Sequence, residues 1–215
     1  MELALLSNTQ SEIQTKHNME ITLAQNKAFN VLVYYAERIQ PLNLTKAIKL
    51  LYIADEKAMR QSGVPITWLN YKAWKLGPVQ EDIYFKIKQA NDYSKSGVDG
   101  SLEVVSAPTV LPDGIVLKPR KPFDDSQFSD YEIDVLDEVL KQYGKYTSEQ
   151  LVEILHREGS LWHKVVKEHH LEKQFELKNN RSDYVIELTD LLDTDFKKSA
   201  FEVAYRSYLM QANLI

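Results

Sequence analysis

The amino-acid sequence predicts a mostly α-helical protein with a small β element, in which a helical bundle core carries a short β-hairpin. Apolar residues recur at helical spacing in several segments of the 215-residue chain. Ser or Thr followed three residues later by Glu or Gln marks two helix starts. Two short apolar runs, residues 102–105 and 115–117, flank a Pro-Asp-Gly turn. Together these patterns favour an α+β fold dominated by helices.

Composition divides the chain into three regions. Residues 1–19 are mostly polar after Leu6, which predicts a flexible N-terminal arm. Residues 20–170 hold most of the periodic apolar segments, which predicts one helical domain with a β-hairpin around residues 102–118. Residues 171–215 are more polar, and they predict a C-terminal extension that ends in an amphipathic helix near residues 195–210.

The bulk composition argues against several classes of function. A net charge of −5 disfavours polyanion binding by the whole molecule, although residues 45–90 hold eight Lys or Arg and four Asp or Glu. The chain has no cysteine, which excludes disulfides, thiol nucleophiles and Cys-based zinc sites. No apolar run has the length of a membrane helix, and the first residues do not form a signal peptide. We therefore expect a cytoplasmic protein without membrane contact.

Clear signals bound the first two helices. Apolar residues at helical spacing run from residue 20 to residue 40, and Pro41 then ends the helix. Asn43 is a suitable N-cap for a second helix, which runs from residue 44 to about residue 61 and ends at Gly63. Four cations of this second helix lie opposite its apolar face, and we expect them to bind a partner: Lys46, Lys49, Lys57 and Arg60.

An aromatic segment follows at residues 66–75. Its composition predicts a strand or an extended loop laid across the helices. Strand alternation would place Trp68 and Trp74 on one side and Tyr71 on the other. Because Trp is enriched at the centre of protein interfaces, Trp68 and Trp74 are candidate partner-binding residues. Gly77 and Pro78 then predict the start of a third helix.

The later helices are marked by two capping boxes, Ser129 with Glu132 and Thr147 with Gln150. His156 follows the second of these helices, and Trp162 comes six residues later, at the start of the next apolar segment. We expect these two rings to form a packing and capping unit.

Asp55 is a lone carboxylate in the apolar face of the second helix. A carboxylate in that position must accept hydrogen bonds, pair with a cation or become neutral through a raised pKa. One interpretation is an acid or base at a functional site. The other is a buried acceptor that holds neighbouring backbone N–H groups or a Trp indole. We favour the structural interpretation, because structural networks also perturb carboxylates.

No constellation of residues indicates an enzyme. No serine lies in a nucleophile elbow, and the chain has no Gly-rich phosphate loop. The five histidines lack the spacing of a metal-ligand pair. The sequence therefore predicts no catalytic residue, no cofactor and no metal.

DNA binding is an alternative. Helix, turn, helix and hairpin follow the outline of a winged helix, and the four cations of the second helix could track a phosphate backbone. Against this, the helix after Pro78 opens with Glu81 and Asp82, whose carboxylates would face phosphates. Nucleic acid is therefore the less favoured partner.

Several motifs together resemble the Panacea domain of SocA- and GepA-like proteins. The similar region runs roughly from residue 24 to residue 166, and it includes KLLYIAD at residues 49–55, YKAW at 71–74, GPV at 77–79 and KYTSEQL at 145–151. Each motif alone is weak, but their combination is fairly specific. The motif positions carried over from the family are Tyr52, Asp55, Tyr71, Trp74, Gly77, Pro78 and Val79.

The resemblance implies an antitoxin of a toxin–antitoxin system, in some members encoded by a prophage. It implies a mostly helical fold and direct binding of a cognate protein toxin, and it brings no catalytic residues. SocA also delivers its toxin to a bacterial protease, so a proteolytic adaptor is a competing interpretation, as is a winged-helix regulator. We expect exposed rings of residues 68–74 to anchor the toxin and the four cations to steer it.

Overall fold

The computed structural model describes residues 23–92, 101–106, 114–177 and 179–212, with side chains described only to residue 90 in the first range. It confirms a mostly α-helical fold with a small β element. The predicted arm at residues 1–19 lies outside the described residues. The helices are α1 (residues 23–38), α2 (Leu44–Ser62), α3 (Glu81–Asp92), α4 (Asp130–Tyr143), α5 (Ser148–Leu155), α6 (Leu161–Glu168), α7 (Leu171–Glu176) and α8 (Asp195–Ala212).

Helix α2 is the central element of the core. Thirteen of its 19 residues are buried, so neighbouring elements cover it on almost every side. The Asn43 side chain accepts a hydrogen bond from the backbone N–H of Lys46 at 2.8 Å, which confirms the predicted N-cap. Gly63 ends the helix at φ 83°, a left-handed conformation that glycine adopts without strain, and this confirms the predicted terminator.

Over the described ranges, the strands form two three-stranded antiparallel sheets beside the helices. One has the order β1–β5–β4, from Leu42–Asn43, Ile115–Pro119 and Leu102–Ser106. Strands β4 and β5 confirm the predicted hairpin, with Val104 opposite Leu117; its turn residues Pro112 and Asp113 lie outside the described part of the chain. The other sheet has the order β3–β2–β6, from Gly77–Val79, Tyr71–Trp74 and Val185–Ile186.

The predicted helix start at Gly77 and Pro78 is wrong. Both residues lie in β3, and Gly77 pairs with Trp74 across a two-residue turn. Helix α3 begins at Glu81, where the Gln80 side chain accepts from the backbone N–H of Ile83 at 2.6 Å. Proline is tolerated here because β3 is an edge strand, so the missing N–H costs no bond within the sheet.

The predicted alternation of Trp68, Tyr71 and Trp74 is also wrong. Strand β2 begins only at Tyr71, and Trp68 precedes it with φ 59°. A bulky residue in this left-handed region carries backbone strain that its surroundings must offset. Trp68 therefore leaves the sheet and turns toward the C-terminal helix.

The two capping boxes are confirmed at the starts of α4 and α5. Beyond residue 170 the chain returns to the main body, because Leu171, Phe175 and Ile186 are buried and β6 pairs with β2. The predicted last helix is observed as α8 at Asp195–Ala212. The division at residue 170 stays a prediction.

Candidate functional site

Asp55 connects α2 to the segment that leads into β2. It is fully buried, and its Oδ1 accepts hydrogen bonds from the backbone N–H groups of Ile66 at 2.8 Å and Thr67 at 2.9 Å. Its Oδ2 accepts from the Thr67 hydroxyl and from the Tyr71 hydroxyl, the latter at 2.7 Å. Burial raises the pKa of Asp55, while these donated hydrogen bonds oppose that rise.

The Asp55 geometry agrees with the structural interpretation. All four partners are donors, so both carboxylate oxygens are engaged in holding the 66–71 segment against α2. The ring of Tyr52 packs edge-on against Tyr71, with centroids 5.0 Å apart. The motif positions Tyr52, Asp55 and Tyr71 therefore form one buried cluster that fixes the path of the chain into β2.

Lys49 lies inside the protein instead of on a basic surface. Only 2% of the residue is exposed, and its Nζ donates to the carbonyl of Pro78 at 2.8 Å. Burial lowers the pKa of Lys49 to about 7. A Cβ added at Gly77, whose φ is 99°, would lie 3.3 Å from this Nζ. The absence of a side chain at Gly77 thus lets β3 approach α2 closely.

The prediction that four cations of α2 bind a partner is wrong for two of them, which are buried. Lys46 is buried as well, and its Nζ donates to the carbonyl of Gly144 at 2.6 Å. Lys57 pairs with Glu138 at 2.9 Å, and Arg60 pairs with Glu56 at 2.6 Å. The cause is long-range packing: the flexible lysine stems reach carbonyls of β3 and of the end of α4. Two of the four cations on which the DNA alternative rested are therefore inside the fold.

The Trp74 side chain is buried and does not protrude from the surface. It is 7% exposed, and its carbonyl accepts from the indole Nε1 of Trp162 at 2.8 Å. The guanidinium of Arg181 lies 5.0 Å from the Trp74 ring centroid. Among the described residues, the Trp74 Nε1 has no hydrogen-bond partner. The Trp74 ring therefore packs within the fold, and a role for it in binding another protein stays a prediction.

His156 and Trp162 form the predicted packing and capping unit. Their rings stack with centroids 3.7 Å apart and an interplanar angle of 2°. His156 is also the C-cap residue of α5. Burial and the nearby charge of Lys49 lower the pKa of His156 to about 4, so the ring is neutral at pH 7. A neutral imidazole stacked on an indole is a packing element here.

A cleft of about 710 Å³ opens beside these buried residues. Ile48, Val79 and Val152 supply apolar wall, and Leu76 at the β2–β3 turn is 57% exposed. Sequence reasoning missed this cleft. Besides Lys49, its basic residues are Lys75, Lys88 and Arg181, which come from three separate places in the chain, and no local pattern brings them together.

Trp68 is the more exposed of the two tryptophans that the sequence predicts to bind a partner. It is half-buried, and its ring packs against three aromatic rings of α8: Phe201, Tyr205 and Tyr208. Tyr208 is stacked on Trp68 with centroids 5.2 Å apart. The partner of this ring in the fold is thus the chain's own last helix, and a role of Trp68 in binding another protein stays a prediction.

Replacing Trp68 by alanine should loosen α8. The ring supplies the aromatic contacts that hold α8, a helix in which Ala212 is the only buried residue. We expect its loss to cost about 1–2 kcal/mol of local stability, so that amide exchange in α8 becomes about tenfold faster. Hydrogen-exchange mass spectrometry measures this, with Phe196→Ala as the matched control, since Phe196 is an exposed ring of the same helix. Unchanged exchange in α8 of Trp68→Ala would contradict the assignment.

Within the part of the chain that the structure describes, no group of three or more His, Asp or Glu residues could hold a metal ion. Over the same ranges, the structure contains no helix with the length and apolarity needed to cross a bilayer.

The comparison with known families agrees with the motif resemblance. A family model described as "Antitoxin SocA-like, Panacea domain" matches residues 48–163, which is more than half of the chain. No curated protein and no solved structure matches significantly. The matched range holds the Asp55 cluster, the β2–β3 turn and the His156–Trp162 stack.

Proposed function

The chain belongs to the family of SocA-like antitoxins with a Panacea domain, and from this we propose that it is the antitoxin of a toxin–antitoxin pair. It acts in the cytoplasm by binding a cognate protein toxin and holding it inactive. Family membership is the observation that carries this proposal. The reaction is an association and not a chemical transformation, so the required property is affinity for one protein.

The geometry of the motif supports a binding role. Asp55, Lys49 and Trp162 are buried, and the half-buried His156 stacks on Trp162, so these residues hold the chain together as a scaffold. That scaffold presents the β2–β3 turn, with Leu76 at its tip, and the cleft beside it. A stable protein interface buries about 1,600 Å² around a few well-packed apolar anchors. We infer that Leu76 is one anchor of the toxin interface.

Co-expression with the small protein encoded beside this chain tests the proposal. The neighbouring protein alone should arrest growth, and co-expression of this chain should restore colony formation and allow the two proteins to co-purify. A neighbouring protein that is harmless alone, or that never associates with this chain, would overturn the antitoxin proposal. Restoration that fails only in protease-deficient cells would replace simple occlusion with proteolytic delivery of the toxin.

Replacing Leu76 by glutamate should weaken toxin binding. Burying a leucine side chain is worth about 1.5–3 kcal/mol, which corresponds to a loss of affinity of about 10- to 100-fold. Calorimetry on the co-purified pair measures the dissociation constant. Val203→Glu on α8 is the matched control, because Val203 is 66% exposed and lies outside the cleft. If Val203→Glu abolished binding while Leu76→Glu did not, the interface would lie on α8 instead.

A further inference from the structure

The charge of the 710 Å³ cleft differs from that of the whole chain. The protein carries a net charge of −5, but the described residues lining the cleft include four cations and a single carboxylate, that of Glu149. The cations are Lys49, Lys75, Lys88 and Arg181. A cleft lined by one sign of charge between low-dielectric walls concentrates its field on ligands of the opposite sign.

Two of these cations are available to a ligand. Neither Lys88 nor Arg181 has an ion-pair partner among the residues that the structure describes, whereas Lys49 and Lys75 donate to backbone carbonyls. The Arg181 guanidinium is held in place over two rings, 5.0 Å from the Trp74 centroid and 4.7 Å from the Phe85 centroid. Contact with the two rings positions the guanidinium and leaves its N–H groups to bind a carboxylate, so the site is pre-organised for an anion.

The lining also contains a group of apolar side chains that reaches the surface. Ile48, Val79 and Val152 line the wall, and Leu76 extends the apolar surface to the rim. The volume accommodates several side chains but no folded domain. The four cations come from α2, from the β2–β3 turn, from α3 and from the segment before β6, so they are distributed over different elements around the cleft. This arrangement suits an extended segment that carries carboxylate and apolar side chains together.

We propose that this cleft binds an acidic peptide segment in which a carboxylate next to a large apolar side chain pairs with Arg181 and Lys88. The inference rests on the proposed function for the identity of its source, which is then a segment of the toxin. The carboxylate belongs either to an Asp or Glu side chain or to the C-terminus of that segment. The apolar side chain lies between Ile48, Val79 and Leu76.

A random dodecapeptide library displayed on phage, selected on the immobilised full chain, tests the chemistry without knowledge of the toxin. We expect the recovered peptides to be enriched in Asp and Glu next to Leu, Ile, Phe or Trp. Each recovered peptide is synthesised with a free and with an amidated C-terminus, and its affinity is measured by fluorescence anisotropy. A peptide that loses affinity on amidation binds through its terminal carboxylate. A peptide whose affinity is unchanged binds through an Asp or Glu side chain. Recovery of neutral or basic peptides, or of none, would overturn the proposal.

Charge-reversal variants test whether the peptides bind in the cleft. Arg181→Glu and Lys88→Glu should each weaken the selected peptides at least about tenfold, which corresponds to the loss of one hydrogen-bonded charge pair. Lys121→Glu is the matched control, because it makes the same charge change at an exposed residue outside the cleft. The affinity of Lys121→Glu for the selected peptides should stay within about twofold of the wild-type affinity, since a distant exposed charge is screened by salt. Equal losses in all three variants would mean non-specific attraction and would overturn the site.

The indole N–H signal of Trp74 in an ¹⁵N NMR spectrum gives an independent readout. The signal is identified by its disappearance in Trp74→Phe, and it should shift on addition of the selected peptide. If only the Trp68 signal shifted, the peptide would occupy the other face of the molecule.

The toxin provides the second half of the test. If the wild-type chain neutralises the toxin, then Arg181→Glu should lose neutralisation and Lys121→Glu should keep it. An Arg181→Glu chain that loses peptide binding but still neutralises the toxin would overturn the toxin as the occupant. A wild-type chain that binds acidic peptides but never neutralises the neighbouring protein would overturn the proposed function and leave the acidic-peptide site standing.

Discussion

Replacing Asp55 by alanine should lower the free energy of unfolding by about 3–5 kcal/mol. The carboxylate accepts four hydrogen bonds in a site without solvent exposure, and its removal leaves the N–H groups of Ile66 and Thr67 and the hydroxyls of Thr67 and Tyr71 without that acceptor. Each unsatisfied buried donor costs more than the net value of the bond that it formed. The alanine also leaves a cavity where the carboxylate lay.

Urea unfolding followed by tryptophan fluorescence and circular dichroism measures this loss. Tyr71→Phe is the graded control, because it removes one donor and keeps the acceptor; it should cost about 1–2 kcal/mol. Asp55→Asn should lie between the two variants, since an amide retains one acceptor oxygen but adds two donors to a site that already supplies donors. An Asp55→Ala variant within about 1 kcal/mol of the wild type would contradict a structural role and return Asp55 to the candidates for chemistry.

The elements that could be predicted from the sequence are those whose causes are local. Asn43 caps α2 by accepting a hydrogen bond from Lys46, three residues away, and the capping box of α4 likewise joins Ser129 to Glu132. Such contacts are set by neighbouring residues, so short patterns identify them. The sequence also predicted that Asp55 would accept hydrogen bonds, although not from which donors, because a carboxylate on an apolar helix face needs donors from some part of the chain.

The features that the sequence did not predict depend on distant partners. Gly77 and Pro78 carry a signal for a helix start, but pairing of Gly77 with Trp74 places them in a strand. Lys46 is interior because its ammonium group bonds to the carbonyl of Gly144, 98 residues away in the chain. Arg181 reaches the cleft from beyond the family match, which ends at residue 163. No window of local sequence contains these pairings, which are tertiary effects.

These distant contacts also change how the motif should be understood. Lys49 and Trp74 are candidates for partner contact in the sequence, but both are buried in the structure, as are Asp55 and Gly77. Their hydrogen bonds and close approaches fix α2 against the β2–β3 turn. The cleft beside these buried residues is lined by side chains that a partner can contact, namely Leu76, Lys88 and Arg181. Specificity for a partner can therefore be set by these side chains around the cleft, independently of the buried contacts.

The stability of the protein should rise with pH above neutrality because of Lys49. Burial lowers the pKa of Lys49 from 10.5 to about 7, so between these values the unfolded chain holds a proton on this lysine that the folded chain has released. Stability increases with pH wherever the unfolded state binds more protons. For this one group, we expect a gain in the free energy of unfolding of about 3 kcal/mol between pH 7 and pH 9.5.

Urea unfolding at a series of pH values isolates this contribution as the difference between the wild type and Lys49→Met. Methionine has a similar shape and no charge, so the stability of Lys49→Met should lack this gain with pH. The stability of Lys49→Met relative to the wild type should therefore be highest at pH 7, within the range from pH 7 to pH 9.5. Lys121→Met at an exposed position should follow the wild-type profile. The comparison stays below pH 10, because the buried tyrosines Tyr52 and Tyr71, whose pKa values are raised by burial, begin to favour the unfolded state above that pH. Parallel profiles for Lys49→Met and the wild type would mean that the ammonium group keeps its charge through contact with water, and the hydrogen bond to Pro78 would then be open to solvent.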